Sequence, residues 1–345
     1  SVTDVINNAG GSKNNVKVAE VWDNLPRLTG DAEMVRKHLS TLSQLDADAY
    51  VKALSNVAPT DTNAVAGTTR AINKAINNQI NTRLAGIVGR NAGDTATHPI
   101  SVWGQALFNH SAQSGDFEFD GDTIGGTLGA DIALNRAATT GVAYTLSNTD
   151  ITAADREINA TGHNFAVYGQ YQNTNWRLNG LASYGWTDYT EQTPMVQSEY
   201  TANNIGLSAS AGYLLSDSFT VTGGARYLKI MQDAYTDSIG QEVKASDNTM
   251  LTVVAGGEYS TEFNAFDLQL RPIMHAALAY DVINDTHSAT VNMMGLEYQI
   301  TGEAIEPLGV EMGLSIETTA ANWDFSLGYD LEWHTNFISH TGRVR

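Results

Sequence analysis

The chain of 345 residues has no cysteine, only 6 prolines, and 19 basic against 38 acidic residues. Without cysteine it forms no disulfide and offers no thiolate to a metal. A net charge of −19 argues against a nucleic-acid partner, which requires a basic surface. No apolar run of about 18 residues occurs, so no transmembrane helix is predicted. The sequence that begins at Ser1 contains no signal peptide, and we expect it to be a mature fragment.

Glycine, by contrast, is frequent at 31 residues, and 42% of the chain is apolar, slightly less than in a usual globular protein. The apolar residues stand in short alternating segments rather than in blocks. This composition is compatible with an outer-membrane β-barrel, because each membrane-spanning strand carries only a weak hydropathy signal.

The periodicity of the sequence changes near residue 98. Residues 1–98 contain helix-like stretches, and the residues after them alternate with period 2 almost throughout. We therefore divide the chain into a helical junction (1–60), a helix with a linker (61–98) and a strand-rich domain (99–345). Within the junction two short helices are predicted, with Asp31 and Asp46 as their N-caps.

A longer helix is predicted over residues 63–88, where apolar residues form one stripe: Ile72, Ile76, Ile80, Leu84 and Ile87. Between Asp61 and Asp94 there is no acidic residue, although four cations are present: Arg70, Lys74, Arg83 and Arg90. A helix inside an acidic enclosure explains this charge bias. An ordinary solvated amphipathic helix is the alternative.

The stretch "NWDFSLGYDLEWHT" (322–335) shows the alternation of the strand-rich domain most clearly. One face carries apolar residues with a tryptophan at each end, and the other carries charged and small polar residues. About ten tilted residues span roughly 24 Å, the height of an outer-membrane apolar band. A soluble β-sandwich also alternates, but it rarely places tryptophans at both ends of a row. We predict that the apolar row faces lipid and that these residues form an aromatic girdle: Trp176, Tyr184, Trp186, Trp323, Tyr329 and Trp333.

The alternating segments number twelve, and tight turns alternate with long polar connections between them. Backbone groups in lipid must all be paired, so the sheet has to close. The predicted fold is an all-β, 12-stranded antiparallel transmembrane barrel. Strands are predicted at 100–110, 119–134, 139–149, 158–172, 175–190, 199–215, 218–235, 247–262, 265–281, 307–318, 322–335 and 338–345.

A barrel of this size has a lumen too wide for side chains alone to fill. The cationic helix upstream is therefore predicted to plug it, because a helix over 63–88 is long enough to cross it. The pore-helix residues we single out are Arg70, Lys74, Asn77, Asn78 and Arg83, and they would meet carboxylates on the lumen face. The alternative is that those acids only hold lumen water. The residues predicted to face the lumen include Asp131, Arg226, Glu258, Arg271, Asp324, Asp330 and Glu332.

Several motifs, in order and spacing, resemble those of the translocator domain of classical monomeric autotransporters (type V secretion). They include "LSQLDADAYVKALSNVAP", "HPISVWGQALFNHSAQSGDFEFDGDTIGGTLGADIAL" and "LGYDLEWHTNFISHTGRVR". The resemblance covers residues 40–345. Members of the family end their last strand on an aromatic residue, whereas this sequence ends at Arg345. We therefore expect the last strand to be truncated.

The resemblance implies a Gram-negative outer-membrane anchor that exports an N-terminal passenger, with a helix left in the pore and residues 1–60 as a passenger remnant. It implies as partners the barrel assembly machinery, periplasmic chaperones, outer-membrane lipid and lipopolysaccharide, for a monomeric barrel. The runner-up function is a general porin or a surface adhesion barrel that acts through its loops. A hydrolase is disfavoured, because no Ser/His/Asp grouping falls on one strand face.

Other chemistry receives less support from the sequence. Asn77-Asn78 resembles the pair at which some family members release the passenger by asparagine cyclisation, so it is a self-cleavage candidate. We expect no enzyme activity, no cofactor and no metal. The loop "GDFEFDGD" offers carboxylates at alternate positions for Ca²⁺, but a solvated acidic loop is the simpler interpretation: Asp116, Glu118, Asp120 and Asp122.

Overall fold

A computed structural model describes residues 2–60, 63–88, 100–320 and 323–345. The linker predicted at the end of 61–98, including Arg90, lies outside the described residues. None of the helices in those ranges combines the length and the apolarity needed to cross a bilayer.

Five helices precede the strands. The two predicted short helices are present as α3 and α4, whereas α1 and α2 were not predicted. Asp46 caps α4 by accepting from the Ala49 N–H, but the N-cap of α3 is Thr29, so the prediction of Asp31 as that N-cap was wrong. Asp31 lies in the first helical turn, where a carboxylate is favourable to the helix dipole. The helices are α1 (Val2–Asn8), α2 (Lys13–Asn24), α3 (Gly30–Leu45), α4 (Ala47–Val57) and α5 (Ala64–Val88).

Twelve long strands follow and close into an antiparallel barrel, as predicted. The first and last strands pair from Ala106↔Val344 to Gln113↔Phe337 and complete the ring. The strands are β1 (Ile100–Gln113), β2 (Phe119–Ala133), β3 (Ala138–Ala153), β4 (Arg156–Gln172), β5 (Trp176–Gln192), β6 (Gln197–Leu214), β7 (Phe219–Gln232), β8 (Tyr235–Thr236), β9 (Glu242–Val243), β10 (Ser246–Ser260), β11 (Phe263–Ala265), β12 (Leu268–Asn284), β13 (Ser288–Met293), β14 (Leu296–Thr301), β15 (Leu308–Ala320), β16 (Trp323–His334) and β17 (Phe337–Val344). The barrel consists of β1–β7, β10, β12 and β15–β17, and β11 extends the turn before β12.

The two faces of β16 show which side of the wall meets which environment. Leu327 is 63% exposed on the outside, and Asp330 is 3% exposed on the inside. The other apolar residues of this strand lie on the same outer face as Leu327, and its other acidic residues lie on the same inner face as Asp330. The apolar rows therefore cover the outer surface, and the polar rows enclose the lumen.

The two ends of the barrel differ. At one end the strands are joined by tight turns, such as residues 134–137 and 173–175. At the other end, which we call the long-loop end, two connections form a second sheet in the order β14-β13-β9-β8. The sequence predicted only polar loops over 235–248 and 282–306, so this sheet is a correction.

Helices α1–α4 pack on the second sheet, and together they form what we call the cap. Trp22 and Leu54 from the helices share one buried cluster with Val291 and Ile300 from the sheet. Helix α2 lies on β14, where the Asn14 side chain donates to the Thr301 carbonyl oxygen (2.9 Å). The segment before α5 is thus folded against the loops of the barrel.

Candidate functional site

Helix α5 runs through the lumen of the barrel. Near its N-terminus, Gly67 lies against the Phe119 ring at the long-loop end. Near its C-terminus, the Ala85 carbonyl oxygen accepts a hydrogen bond from Arg271 (3.2 Å). The helix packs against β1, β2, β3 and β17. Three residues of the apolar stripe, Ile76, Ile80 and Leu84, lie in one buried cluster with Trp103 and Tyr168 of the wall.

At the long-loop end the lumen is lined by apolar side chains. Phe119, Ile151 and Tyr189 point inward and pack around the first turns of α5. Along β3 the apolar residues change from the outer face to the inner face. Val142, nearer the tight-turn end, is exposed on the outside, whereas Ile151, at the long-loop end, is buried on the inside. Above the lipid band the outer surface meets water, so the apolar residues turn inward. This apolar layer surrounds the first turns of α5.

Below it lies a layer of buried ion pairs. Arg70 donates to Glu332 (2.8 Å) and to Asp281 (2.6 Å), and the Lys74 ammonium lies 3.0 Å from Glu332 and 3.2 Å from Glu311. Their side chains are all at most 9% exposed. Each helix cation contacts two carboxylates, and Glu332 is shared by both. A buried charge is tolerated only when it is paired, so this layer fixes the helix in register with the wall.

A second set of ion pairs lies nearer the tight-turn end. Arg83 donates to Asp131 (3.0 and 3.2 Å) and lies 3.6 Å from Asp324. Arg343 of β17 pairs with Asp330 (2.7 Å) and donates to the Asn78 carbonyl oxygen (3.3 Å).

The remaining predicted lumen residues also point inward, but they contact other parts of the wall. Arg226 pairs with Glu311, and Glu258 pairs with Arg177 (2.9 Å) rather than with the helix. Arg271 contacts the helix by donating a hydrogen bond to the Ala85 carbonyl oxygen. Sequence reasoning missed Asp281 and Glu311, although both occupy the polar parity of their strands. That parity is the signal that could have found them.

The predicted girdle residues all lie on the outer surface. Trp186 is less exposed than the others because it stacks on His163, with ring centroids 4.9 Å apart. Near the tight-turn end the Trp176 ring contacts the Tyr213 ring edge-on, with ring centroids 4.9 Å apart. The two tryptophans of β16 lie at opposite ends of its outer row, as interfacial anchors do.

A cavity of about 170 Å³ separates α5 from the wall formed by β5–β7, β10 and β12. It is lined by Asn77 and Asn78, the self-cleavage candidates, together with Glu311 and Asp330. The helix is continuous through both asparagines, and the Asn77 side-chain oxygen accepts from Asn81 (2.8 Å). Self-cleavage stays a prediction from the sequence.

The four acidic residues proposed as possible calcium ligands are exposed. Asp120 and Asp122 point outward from β2, where Asp122 hydrogen-bonds His110 (2.9 Å). Within the ranges that the structure describes, no group of three or more His, Asp or Glu side chains converges as metal ligands do.

His287 is buried beside Thr60 and Asn63, which lie between α4 and α5. Its main-chain N–H donates to the Asn63 side-chain oxygen (3.0 Å). Burial lowers the pKa of His287 to about 4, and a hydrogen bond to the main chain of Thr60 opposes only part of that shift. The imidazole is therefore neutral in the docked state at any pH near neutrality.

We expect the docking of this connection to weaken as the pH falls from 6.5 to about 4. In that window the undocked imidazole takes up a proton and the buried one does not. The stability is thus complete above the ordinary pKa and falls by about 3 kcal/mol across the window. Hydrogen exchange of the α4 amides, corrected for intrinsic rates, would measure it at pH 7.5 and at pH 4.5. The His287→Gln variant should show no such difference, and an unchanged difference would show that another group titrates.

The fold and the lumen together define a transmembrane β-barrel plugged by a helix, with apolar outer rows and long loops at one end. Residues 102–330 match the family model described as the autotransporter beta-domain, and the chain belongs to this family. It is an outer-membrane translocator domain, a class of non-enzymatic transporters and anchors in Gram-negative bacteria. In such barrels the long loops face the cell exterior and the tight turns face the periplasm.

The chain is also similar to individual proteins, and the solved structures among them share its fold. The chain is 20% identical over 260 residues to outer membrane protein A of Rickettsia conorii, covering 66% of this chain but only 13% of that relative. The translocator domain of autotransporter NalP from Neisseria meningitidis has a similar fold, with a TM-score of 0.62, 17% identity, and coverage of 79% of this chain and 96% of that one. The transport unit of the autotransporter AIDA-I from Escherichia coli gives a TM-score of 0.56, 16% identity, and coverage of 73% and 92%.

Proposed function

We propose that this barrel anchors an N-terminal passenger and supports its export to the cell surface, after which α5 stays in the lumen and seals it. The observation that carries the proposal is the direction of α5. Its N-terminus lies at the long-loop end, so the residues before it emerge on the outer side. The chain spans only 13% of the length of the Rickettsia conorii relative that it matches. That a passenger precedes it is therefore itself part of this proposal.

The partners follow from this proposal. The assembly machinery and periplasmic chaperones would deliver and insert the barrel, using its last strand as a handle. Lipid and lipopolysaccharide would surround the apolar rows. Folding of the emerged segment would supply energy for export, because its helices bury apolar side chains among themselves and against the loops.

Single-channel conductance tests whether the helix seals the pore. We expect the intact chain to be nearly closed, because an apolar layer and buried ion pairs surround α5. Deleting residues 60–90 should open a large, steady conductance, because a 12-stranded wall encloses more space than its side chains fill. A matched deletion of α1 and α2 should leave the pore closed.

The alternative functions predict other results. A diffusion porin would conduct strongly as the intact chain, and that outcome would exclude the sealed anchor. An adhesion barrel would stay closed and would bind a ligand through its loops without any passenger. Surface labelling of a reporter fused before residue 1 separates it from an exporter, since only export places the reporter outside.

A further inference from the structure

The C-terminal turn of α4 is bound through its main chain by the rim of the barrel. The last carbonyl groups of a helix have no donors within the helix. Arg156, at the start of β4, donates from Nη2 to the carbonyl oxygens of Ser55 (3.1 Å) and Ala58 (2.8 Å). Pro59 follows, so the helix cannot continue and its carbonyl groups stay available.

Two other connections bind the two carbonyl groups in between. The Thr193 hydroxyl, between β5 and β6, donates to the Asn56 carbonyl oxygen (2.7 Å). The Gln241 side chain, between β7 and β10, donates to the Val57 carbonyl oxygen (2.9 Å). Four consecutive carbonyl groups are therefore bound by donors from three separate connections. These contacts involve the backbone alone, so they recognise a helix end rather than particular side chains.

Other buried groups hold two of these donors in place. Arg156 forms a buried ion pair with Glu191, and Glu191 accepts a second hydrogen bond from the Tyr200 hydroxyl (3.0 Å). Gln241 is fully buried, and its side-chain oxygen accepts from the Tyr298 hydroxyl (2.6 Å). Because these two donors are held by groups outside the helix, little of their conformational entropy is lost on binding it.

We propose that Arg156, Thr193 and Gln241 form a latch that captures the C-terminal turn of a helix as it leaves the pore. This inference rests on the proposed direction of export. Only a short connection joins α4 to α5, so α4 can reach the rim only once α5 is seated in the lumen. The latch then holds the emerged segment against backward sliding and marks the end of export. Any preceding segment that ends in a helix at this distance from α5 would fit it.

Limited proteolysis of the full chain tests the latch. Trypsin cleavage at Arg36-Lys37, within α3, requires local unfolding of the cap and therefore reports its docking. We expect Arg156→Met to speed this cleavage at least tenfold, because two carbonyl groups and the Glu191 carboxylate lose a charged donor. The barrel itself should keep its heat-dependent shift in gel mobility.

Three further variants complete the test. Lys52→Met removes an exposed ion pair with Asp155 at the same interface and should change cleavage less than twofold. Asn56→Ala removes only a long hydrogen bond from its side chain to Asp155 (3.3 Å) and should also change cleavage less than twofold, because the latch binds the main chain of that residue. If Arg156→Met does not fold, Thr193→Val tests the latch instead. We expect that variant to be cleaved at least about threefold faster than the parent chain.

Cap cleavage that is unchanged in both the Arg156 and the Thr193 variants would overturn the latch. That result is distinguishable from failure of the export proposal. A strongly conducting intact chain would remove the export proposal without changing cap cleavage, whereas an undocked cap leaves the α5 seal closed.

Discussion

Replacing Glu332 by alanine is expected to loosen the plug more than any other single change in the lumen. The carboxylate of Glu332 contacts both Arg70 (2.8 Å) and Lys74 (3.0 Å), and all three side chains are buried. Removing one partner of a buried ion pair costs about 3–5 kcal/mol. The low end of that range applies here, because Arg70 keeps Asp281 and Lys74 keeps Glu311 as partners. The equilibrium between the seated and the displaced helix should shift by roughly two powers of ten. The fraction of time that single channels spend open would measure this shift.

The control for this prediction is Glu297→Ala. Glu297 pairs with Lys244 in the cap, but both side chains are about half exposed. An exposed ion pair contributes up to about 1 kcal/mol to stability. The fraction of time that single channels spend open should therefore stay as in the parent chain. If Glu332→Ala channels also remain closed, the ion pairs do not hold α5, and the apolar layer at the long-loop end is a sufficient seal.

The second large effect is expected on the outer surface, from Leu327→Arg. Leu327 lies in the outer row of β16 between Trp323 and Trp333, near the middle of the lipid band. An arginine at that depth destabilises a barrel by about 2–4 kcal/mol, because its charge must leave water. Urea titration of folding into lipid vesicles, followed by tryptophan fluorescence, would show the midpoint moving to lower urea.

Thr335→Arg provides the matched control. Thr335 is exposed just beyond the last outer tryptophan of the same strand, outside the lipid band. The cost there is expected to be about 0–1 kcal/mol. Equal destabilisation by the two substitutions would contradict the placement of this row in lipid.

The barrel could be predicted from the sequence because its signal is local and repeated. In β16 successive residues face lipid and lumen in turn. The tryptophans at its two ends are spaced by about the thickness of the apolar band. The charge bias of α5 was informative for a similar reason. A helix with Arg70, Lys74 and Arg83 but no acid between them needs an acidic surrounding, and the inward rows of the strands provide one.

Particular contacts were harder to predict. Glu311 and Asp281 pair with the helix because the register of α5 against the wall brings them opposite Lys74 and Arg70. That register depends on strand pairing across the whole barrel, and no local pattern encodes it. The cap illustrates the same limit, since β8 and β9 are two residues each and carry no periodicity to detect.

The sequence by itself determined the class of fold, with its alternating apolar and polar rows and its helix in the lumen, because alternation and charge bias are properties of neighbouring residues. Only the tertiary structure decided that the first 60 residues fold onto the loops and that Arg156 binds the end of α4. The contacts of Arg156 join segments about a hundred residues apart, and the contact of Asn14 with Thr301 joins segments 287 residues apart. The physical reason is that Arg156 binds main-chain carbonyl groups, which every residue carries, so its partner gives no signal in the sequence.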